Sequence, residues 1–140
     1  MLIHGSCHCG NLSFELVWPV APETIAARAC SCTFCVKHGA RWTANAGAGL
    51  TIHREDVWLV EAYAFGTKTA DFHVCKVCGV VACSTSRIEG RLYAVVNVNT
   101  FDDLDASRLV IGDVNFDGEG EPSRLARRAA NWIGDVRFVG

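Results

Sequence analysis

The chain has 140 residues, of which 50% are hydrophobic and 20% charged. That is about one domain's length, with enough apolar residues for a core, and it excludes intrinsic disorder. Thirteen Lys and Arg against fifteen Asp and Glu give a formal net charge of −2, so no basic footprint points to nucleic acid. No stretch approaches the ~20 apolar residues of a membrane span. Residues 1–5 lack a basic segment followed by a long apolar run, so no secretory signal is read and a cytoplasmic location is expected.

In chain order, Cys7-x-Cys9 comes first, and Gly10 follows it. Residues 11–18 (NLSFELVW) alternate Leu12, Phe14, Leu16 and Trp18 against Asn11, Ser13 and Glu15, which predicts a half-buried strand. Residues 24–30 are ambiguous by period and run into Cys30-x-Cys32-x-x-Cys35; a short helical turn is expected over 33–38. Gly39, the run Gly47-Ala48-Gly49, Gly66 and Gly90 read as turns. Strands are predicted over 57–63, 72–75 and 80–85, with Cys75-x-x-Cys78-Gly79 between the last two. Residues 92–98 (LYAVVNV) are the strongest β run. Residues 113–120 read as a polar loop. Residues 122–132 read as a helix, with Pro122 at its start and Gly134 as its stop. The expected fold is therefore mainly β: a zinc-stapled twisted β-roll or sandwich of short antiparallel strands with a short C-terminal helix. Residues 1–140 are expected to form one zinc-binding domain, with 113–140 as a C-terminal loop and helix or tail.

Eight cysteines are the compositional outlier. A disulfide framework needs an oxidising compartment, and cysteines one residue apart cannot easily bridge each other. Closely spaced thiols suit a shared metal ion. Redox use of Cys75 and Cys78 is a further alternative. Zinc is the expected metal, with iron in a tetrahedral thiolate site as the other option. A structural zinc site is closed by four protein ligands, whereas a catalytic one keeps an open position. Cys7, Cys9, Cys75 and Cys78 can make one closed site. Cys30, Cys32 and Cys35 form a local three-thiolate site. Three thiolates make a zinc ion a weak Lewis acid but leave it suited to holding a thiol as thiolate, against a free pKa of roughly 8.5. Two zinc sites and a small thiol or thiol adduct as partner are thus expected, with no membrane partner.

Three blocks carry a resemblance: Gly5-Ser6-Cys7-His8-Cys9-Gly10, Cys30-Ser31-Cys32-Thr33-Phe34-Cys35 and Cys75-Lys76-Val77-Cys78-Gly79. Together with residues 96–103 (VNVNTFDD), they resemble the family of glutathione-dependent formaldehyde-activating enzymes and centromere protein V. The resemblance implies a β-rich fold, a structural zinc on Cys7, Cys9, Cys75 and Cys78, and a catalytic zinc on Cys30, Cys32 and Cys35. It also implies a carbon–sulfur lyase that joins glutathione and formaldehyde to give S-hydroxymethylglutathione. The alternative is a non-enzymatic zinc-binding structural or interaction module.

Other residues carry weaker expectations. Cys83, in an apolar run, is expected to be a buried small hydrophobe. His38 is a candidate fourth ligand or proton shuttle, set against a surface histidine. His8 is expected to point away from the metal, and His53 and His73 to be strand residues. Arg41 is a candidate partner for a substrate carboxylate, with Trp42 as core or pocket wall. Asn97 and Asn99 are candidates to line the site from one side of a strand. Arg124, Arg127 and Arg128 form a basic helix face, read as solvated.

Overall fold

The computed structural model describes residues 1–140. Strands β1 (Leu2–Ser6), β2 (Leu12–Val17), β5 (Gly49–Arg54) and β11 (Asp135–Val139) form a sheet in the order β1-β2-β5-β11. The second sheet holds β3 (Ile25–Cys30), β4 (Arg41–Thr43), β6 (Val60–Tyr63), β7 (Asp71–Cys75), β8 (Val81–Ile88), β9 (Arg91–Asn97) and β10 (Leu109–Val114). Its order is β10-β3-β4-β9-β8-β7-β6. Two helices complete the fold, α1 (Thr33–His38) and α2 (Glu121–Asn131). The fold is mainly β, as expected, and both helices fall where the sequence places them. No helix is long and apolar enough to cross a membrane.

The alternation in β2 is real: Leu12, Phe14 and Leu16 are buried, while Glu15 and Val17 are exposed. β2 pairs antiparallel with β1 and β5, setting Phe14 opposite Gly5 and Ile52, and Leu16 opposite Ile3 and Leu50. This inner face packs against Cys75, Ala82, Cys83, Ala94 and Val96 of the second sheet in one hydrophobic cluster. The continuous apolar run of β9 has a simple cause: both of its faces are covered. Ala94 and Val96 face the first sheet, and Val95 joins a second cluster with Cys35, Trp42, Val81 and Trp132.

Several elements depart from the sequence reading. Residues 57–59 form a 3-10 turn capped by Asp56, whose side chain accepts from Trp58 N–H at 3.0 Å, and only residues 60–63 are strand. The β9 strand stops at Asn97, because its side chain turns back to accept from Asn99 N–H at 3.2 Å and starts a 3-10 turn over 98–100. The expected loop at 113–120 starts later, since β10 runs through Val114. β10 and β11 pair in parallel with β3 and β5, so the sheets are not wholly antiparallel.

Gly5 lies within β1, where a Cβ would sit 2.1 Å from Phe14 Cζ. Only glycine leaves room for that ring. Replacing Gly5 with Ala is expected to lower stability by about 1–3 kcal/mol through overpacking. Chemical denaturation checks this, and Phe14→Leu in the same chain should recover part of the loss.

Residues 101–103 fasten β1 from outside. Asp102 N–H donates to His4 O at 2.8 Å, Ser6 Oγ donates to Asp102 Oδ2 at 2.7 Å, and His4 Nδ1 lies 2.6 Å from Asp103 Oδ2. The hydrogen bond to Asp103 raises the His4 pKa above 6.5, against a small opposing effect of burial. Burial works to raise Asp103, but the side chain and backbone of His4 outweigh it and hold that carboxyl below its usual range. The His4 contribution to stability is therefore complete below about pH 6.5 and is lost as pH rises through its higher folded value. The Asp103 contribution is lost as pH falls through its depressed value. A proton NMR titration should show His4 ionising above pH 6.5 in the folded protein, with Asp103→Asn lowering that midpoint.

Candidate functional site

Cys7 and Cys9 occupy the turn between β1 and β2, Cys75 ends β7, and Cys78 lies in the turn leading to β8. The Cys7 and Cys9 sulfurs are 3.7 Å apart, and those of Cys9 and Cys75 3.5 Å. All four lie within 4.8 Å of one another. Four sulfurs around zinc at a Zn–S distance of ~2.3 Å would be about 3.8 Å apart, so this donor set fits one zinc ion.

The two turns share a glycine in the left-handed region just after the second cysteine. Gly10 and Gly79 have φ of 87° and 79°, a region that side-chain-bearing residues rarely adopt. Gly10 N–H donates to Cys7 O and Gly79 N–H to Cys75 O, which closes each turn around its sulfurs. Leu12 N–H adds a donor to Cys7 Sγ at 3.3 Å. Burial pushes the Cys7 thiol up to about 12. Burial acts the same way on Cys78, but backbone donors at Val80 and Cys9 and the thiols of Cys75 and Cys7 outweigh it and hold Cys78 at about 6. Thiolates this close repel one another, and a cation beside them offsets that repulsion.

The second cluster is local. Cys30 ends β3, Cys32 caps α1 by accepting Cys35 N–H on its sulfur at 3.4 Å, and Cys35 sits one turn inside the helix. Cys32 N–H points to Cys30 Sγ at 3.5 Å. Strand end and helix start together bring the three sulfurs within 4.8 Å of one another. Trp42 Nε1–H donates to Cys35 Sγ at 3.3 Å from β4. The neighbouring Cys35 holds Cys30 at about 5 despite burial. The same pairing, with burial, pushes Cys35 far up, and Trp42 opposes it. Three soft donors on one side suit zinc with one position left for an outside ligand.

The triplet opens into a cavity of about 280 Å³. Trp42, Phe65 and Phe72 form its aromatic wall; Phe72 stacks on Phe65 at 5.3 Å and meets Trp42 edge-on at 5.7 Å between ring centroids. Arg28 of β3 and Arg124, Arg127 and Arg128 of α2 also line it. None of the four cysteines of the first cluster reaches this cavity.

Sequence reasoning missed these arginines as site residues. Arg124, Arg128 and Trp132 follow at intervals of four, which puts them on one helix face, but periodicity does not say whether solvent or a cavity meets that face. Arg128 is only 6% exposed. Trp42 is the pocket wall expected of it, and Cys83 is fully buried.

Arg41, Asn97 and Asn99 do not line the cavity. Arg41 Nε donates to Asn99 Oδ1 at 2.7 Å, Asn99 Nδ2 donates to Gly39 O at 2.7 Å, and Asn97 Nδ2 donates to Val81 O at 2.9 Å. These three side chains fasten the corner between α1 and β4. His38 is exposed, packs at a tilt against Phe34 with ring centroids 4.5 Å apart, and belongs neither to the sulfur cluster nor to the cavity wall. His8 is exposed, His53 lies in β5 and His73 is buried in β7.

Residues 2–111 match the family described as glutathione-dependent formaldehyde-activating enzyme. A crystal structure of a Rhodobacter sphaeroides protein is similar at a TM-score of 0.56 and 30% sequence identity, over 74% of this chain and 92% of that one. No curated protein matches the chain.

Proposed function

The chain belongs to the glutathione-dependent formaldehyde-activating enzyme family, and on that premise we propose that it is a zinc-dependent carbon–sulfur lyase acting on a thiol adduct. The contrast between its two sulfur clusters carries this reading: the triplet opens into a cavity and the four-sulfur cluster does not. Cys7, Cys9, Cys75 and Cys78 would hold a structural zinc, and Cys30, Cys32 and Cys35 a catalytic one. Zinc bound by the triplet would supply the positive charge that stabilises a substrate thiolate near neutral pH.

The chain's own residues then do the rest. Trp42 fixes Cys35 through its indole N–H, which orients one ligand from behind. Trp42, Phe65 and Phe72 keep one side of the cavity dry, which strengthens electrostatic interactions within it. In the synthetic direction a carbon–sulfur bond forms between the thiol sulfur and the aldehyde carbon. The sulfur–hydrogen bond breaks and the proton ends on the former carbonyl oxygen. Asp117 is the one carboxylate on the cavity wall, and it takes the proton-carrying role in place of His38. The reverse direction releases thiol and aldehyde by the same transfers.

Cys32→Ser should abolish acceleration of the glutathione–formaldehyde exchange, followed with carbon-13 formaldehyde by NMR, while leaving the fold and about one zinc per chain. Equal loss of both metals and of folding would refute separate structural and catalytic sites.

Trp42→Phe removes the donor to Cys35 but keeps an aromatic ring. It should weaken metal binding at the triplet by about 10–100-fold in a chelator competition and leave the four-sulfur cluster unchanged. Equal weakening at both clusters, or at neither, would contradict the positioning role of Trp42.

A further inference from the structure

Six buried polar side-chain atoms have no hydrogen-bond partner: His53 Nε2, Arg54 Nε, Ser84 Oγ, Arg124 Nε, Arg128 Nε and Trp132 Nε1. The last four belong to residues that line the triplet's cavity. Buried polar groups are nearly always paired, so four orphans around one cavity mark where a ligand's polar atoms belong. Three of the four are obligate donors, and the serine can donate. The missing partner is therefore an acceptor.

The charges point the same way. Glu119 serves two of the four arginines: it pairs with Arg127 at 3.0 Å and lies 3.8 Å from Arg124 Nε. Arg28 and Arg128 have no acidic partner. Arg128 donates through Nη1 to Thr69 Oγ1 at 2.9 Å and Ser86 Oγ at 3.3 Å, both neutral, and its guanidinium lies 5.0 Å over the Trp132 ring. Burial, reinforced by Arg124 and Arg127, lowers its pKa to about 10, so it is still charged at neutral pH. A buried charge held only by hydroxyls is costly until an opposite charge arrives.

We infer that this part of the cavity is a carboxylate subsite, in which Arg128 and Arg28, with Trp132 Nε1 and Ser84 Oγ, hold an acid group of the thiol that the triplet engages. The thiol's identity as substrate rests on the lyase reading above. Cavity size fits this division: about 280 Å³ is at the lower edge of small-molecule pockets, so sulfur and carboxylate ends must share one short space. A planar carboxylate suits guanidinium and indole donors. α2 begins at Glu121, beyond residue 111 where the family match ends. Two of the four subsite residues, Arg128 and Trp132, thus lie outside the part of the chain that the family match covers.

The zinc-loaded full chain, labelled with nitrogen-15 at its indoles, provides the test. S-methylglutathione has the carboxylates but no free thiol. It should move the Trp132 indole signal saturably, and its dimethyl ester should bind at least about tenfold more weakly. Arg28→Gln should weaken the acid by a similar factor and leave the ester unchanged; this half-buried strand position serves because Arg128→Gln removes a core contact. S-methyl-3-mercaptopropionate separates the two sources of such a carboxylate: binding of the short acid alone assigns a small mercapto acid, and binding of the peptide assigns a peptide thiol. Equal binding of acid and ester, shifts confined to other indoles, or no binding of either acid would overturn the subsite. Neither acid can react, so their binding reads the subsite alone, and their binding with no acceleration of the glutathione–formaldehyde exchange sinks the lyase reading alone. Equal turnover of glutathione and its ester sinks the subsite alone.

Discussion

Cys9 and Cys75 are 66 residues apart in sequence, yet their sulfurs are 3.5 Å apart. One belongs to a turn of the four-stranded sheet and the other ends a strand of the seven-stranded sheet. The four-sulfur cluster is thus a clip between the two sheets, placed where their inner faces meet. Cys7 and Cys75 are themselves part of the hydrophobic cluster that fills that space. Thiols this close resist ionising together, because each added negative charge raises the cost of the next. A cation removes that conflict, and the clip then adds binding free energy to the burial of Ile3, Leu12, Phe14 and Ile52.

What the clip secures on one side is used on the other. β9 carries Ala94 and Val96 toward the first sheet and Val95 toward the second cluster, where Cys35, Trp42 and Trp132 meet. Ile133 extends this link: it exchanges two backbone hydrogen bonds with Ala94, at 2.9 and 3.0 Å, and leaves the neighbouring Trp132 on the cavity wall. The cavity therefore has a rigid floor of sheet and a wall of helix, with the triplet at a strand-to-helix corner. Arg41, Asn97 and Asn99 hold that corner from outside through their mutual hydrogen bonds. Supports of this kind keep metal ligands in fixed positions without touching the reacting atoms.

Much of this was legible in the sequence, and the reasons for the rest are physical. The cysteine spacings and the period of residues 11–18 are local signals, and both led to the right structures. Gly5 read as part of a motif, but its place inside β1 depends on the ring of Phe14, a partner that no local pattern reveals. The parallel pairing of β10 with β3 and of β11 with β5 is equally non-local. Asn97 and Asn99 alternate with valines and so looked like strand neighbours, until a side-chain bond to Asn99 N–H ended the strand. The arginines of α2 show the sharpest limit. A helix face with three arginines reads as solvated, and only the fold reveals that Arg128 is buried against Thr69, Ser86 and Trp132.

Separation of the two sulfur clusters also answers a chemical difficulty. A site that welcomes an outside thiol exposes its metal to competition from that thiol, because both sulfurs bind in the same way. If the ion that fastens the sheets sat in the same cavity, each substrate molecule would compete for it and loosen the fold. Here Cys7 and Cys75 are buried while Cys9 is exposed and Cys78 half-buried, and it is position that separates the clusters: no member of this one reaches the cavity wall. On the proposed lyase reading the triplet exchanges its outside ligand, and its sulfurs come from one short segment, residues 30–35, whose shape is held by α1 and by the β3–β4 pairing. The clip spans distant segments and lies outside the cavity, whereas the triplet is local and opens into it, so ligand exchange at one does not strain the other.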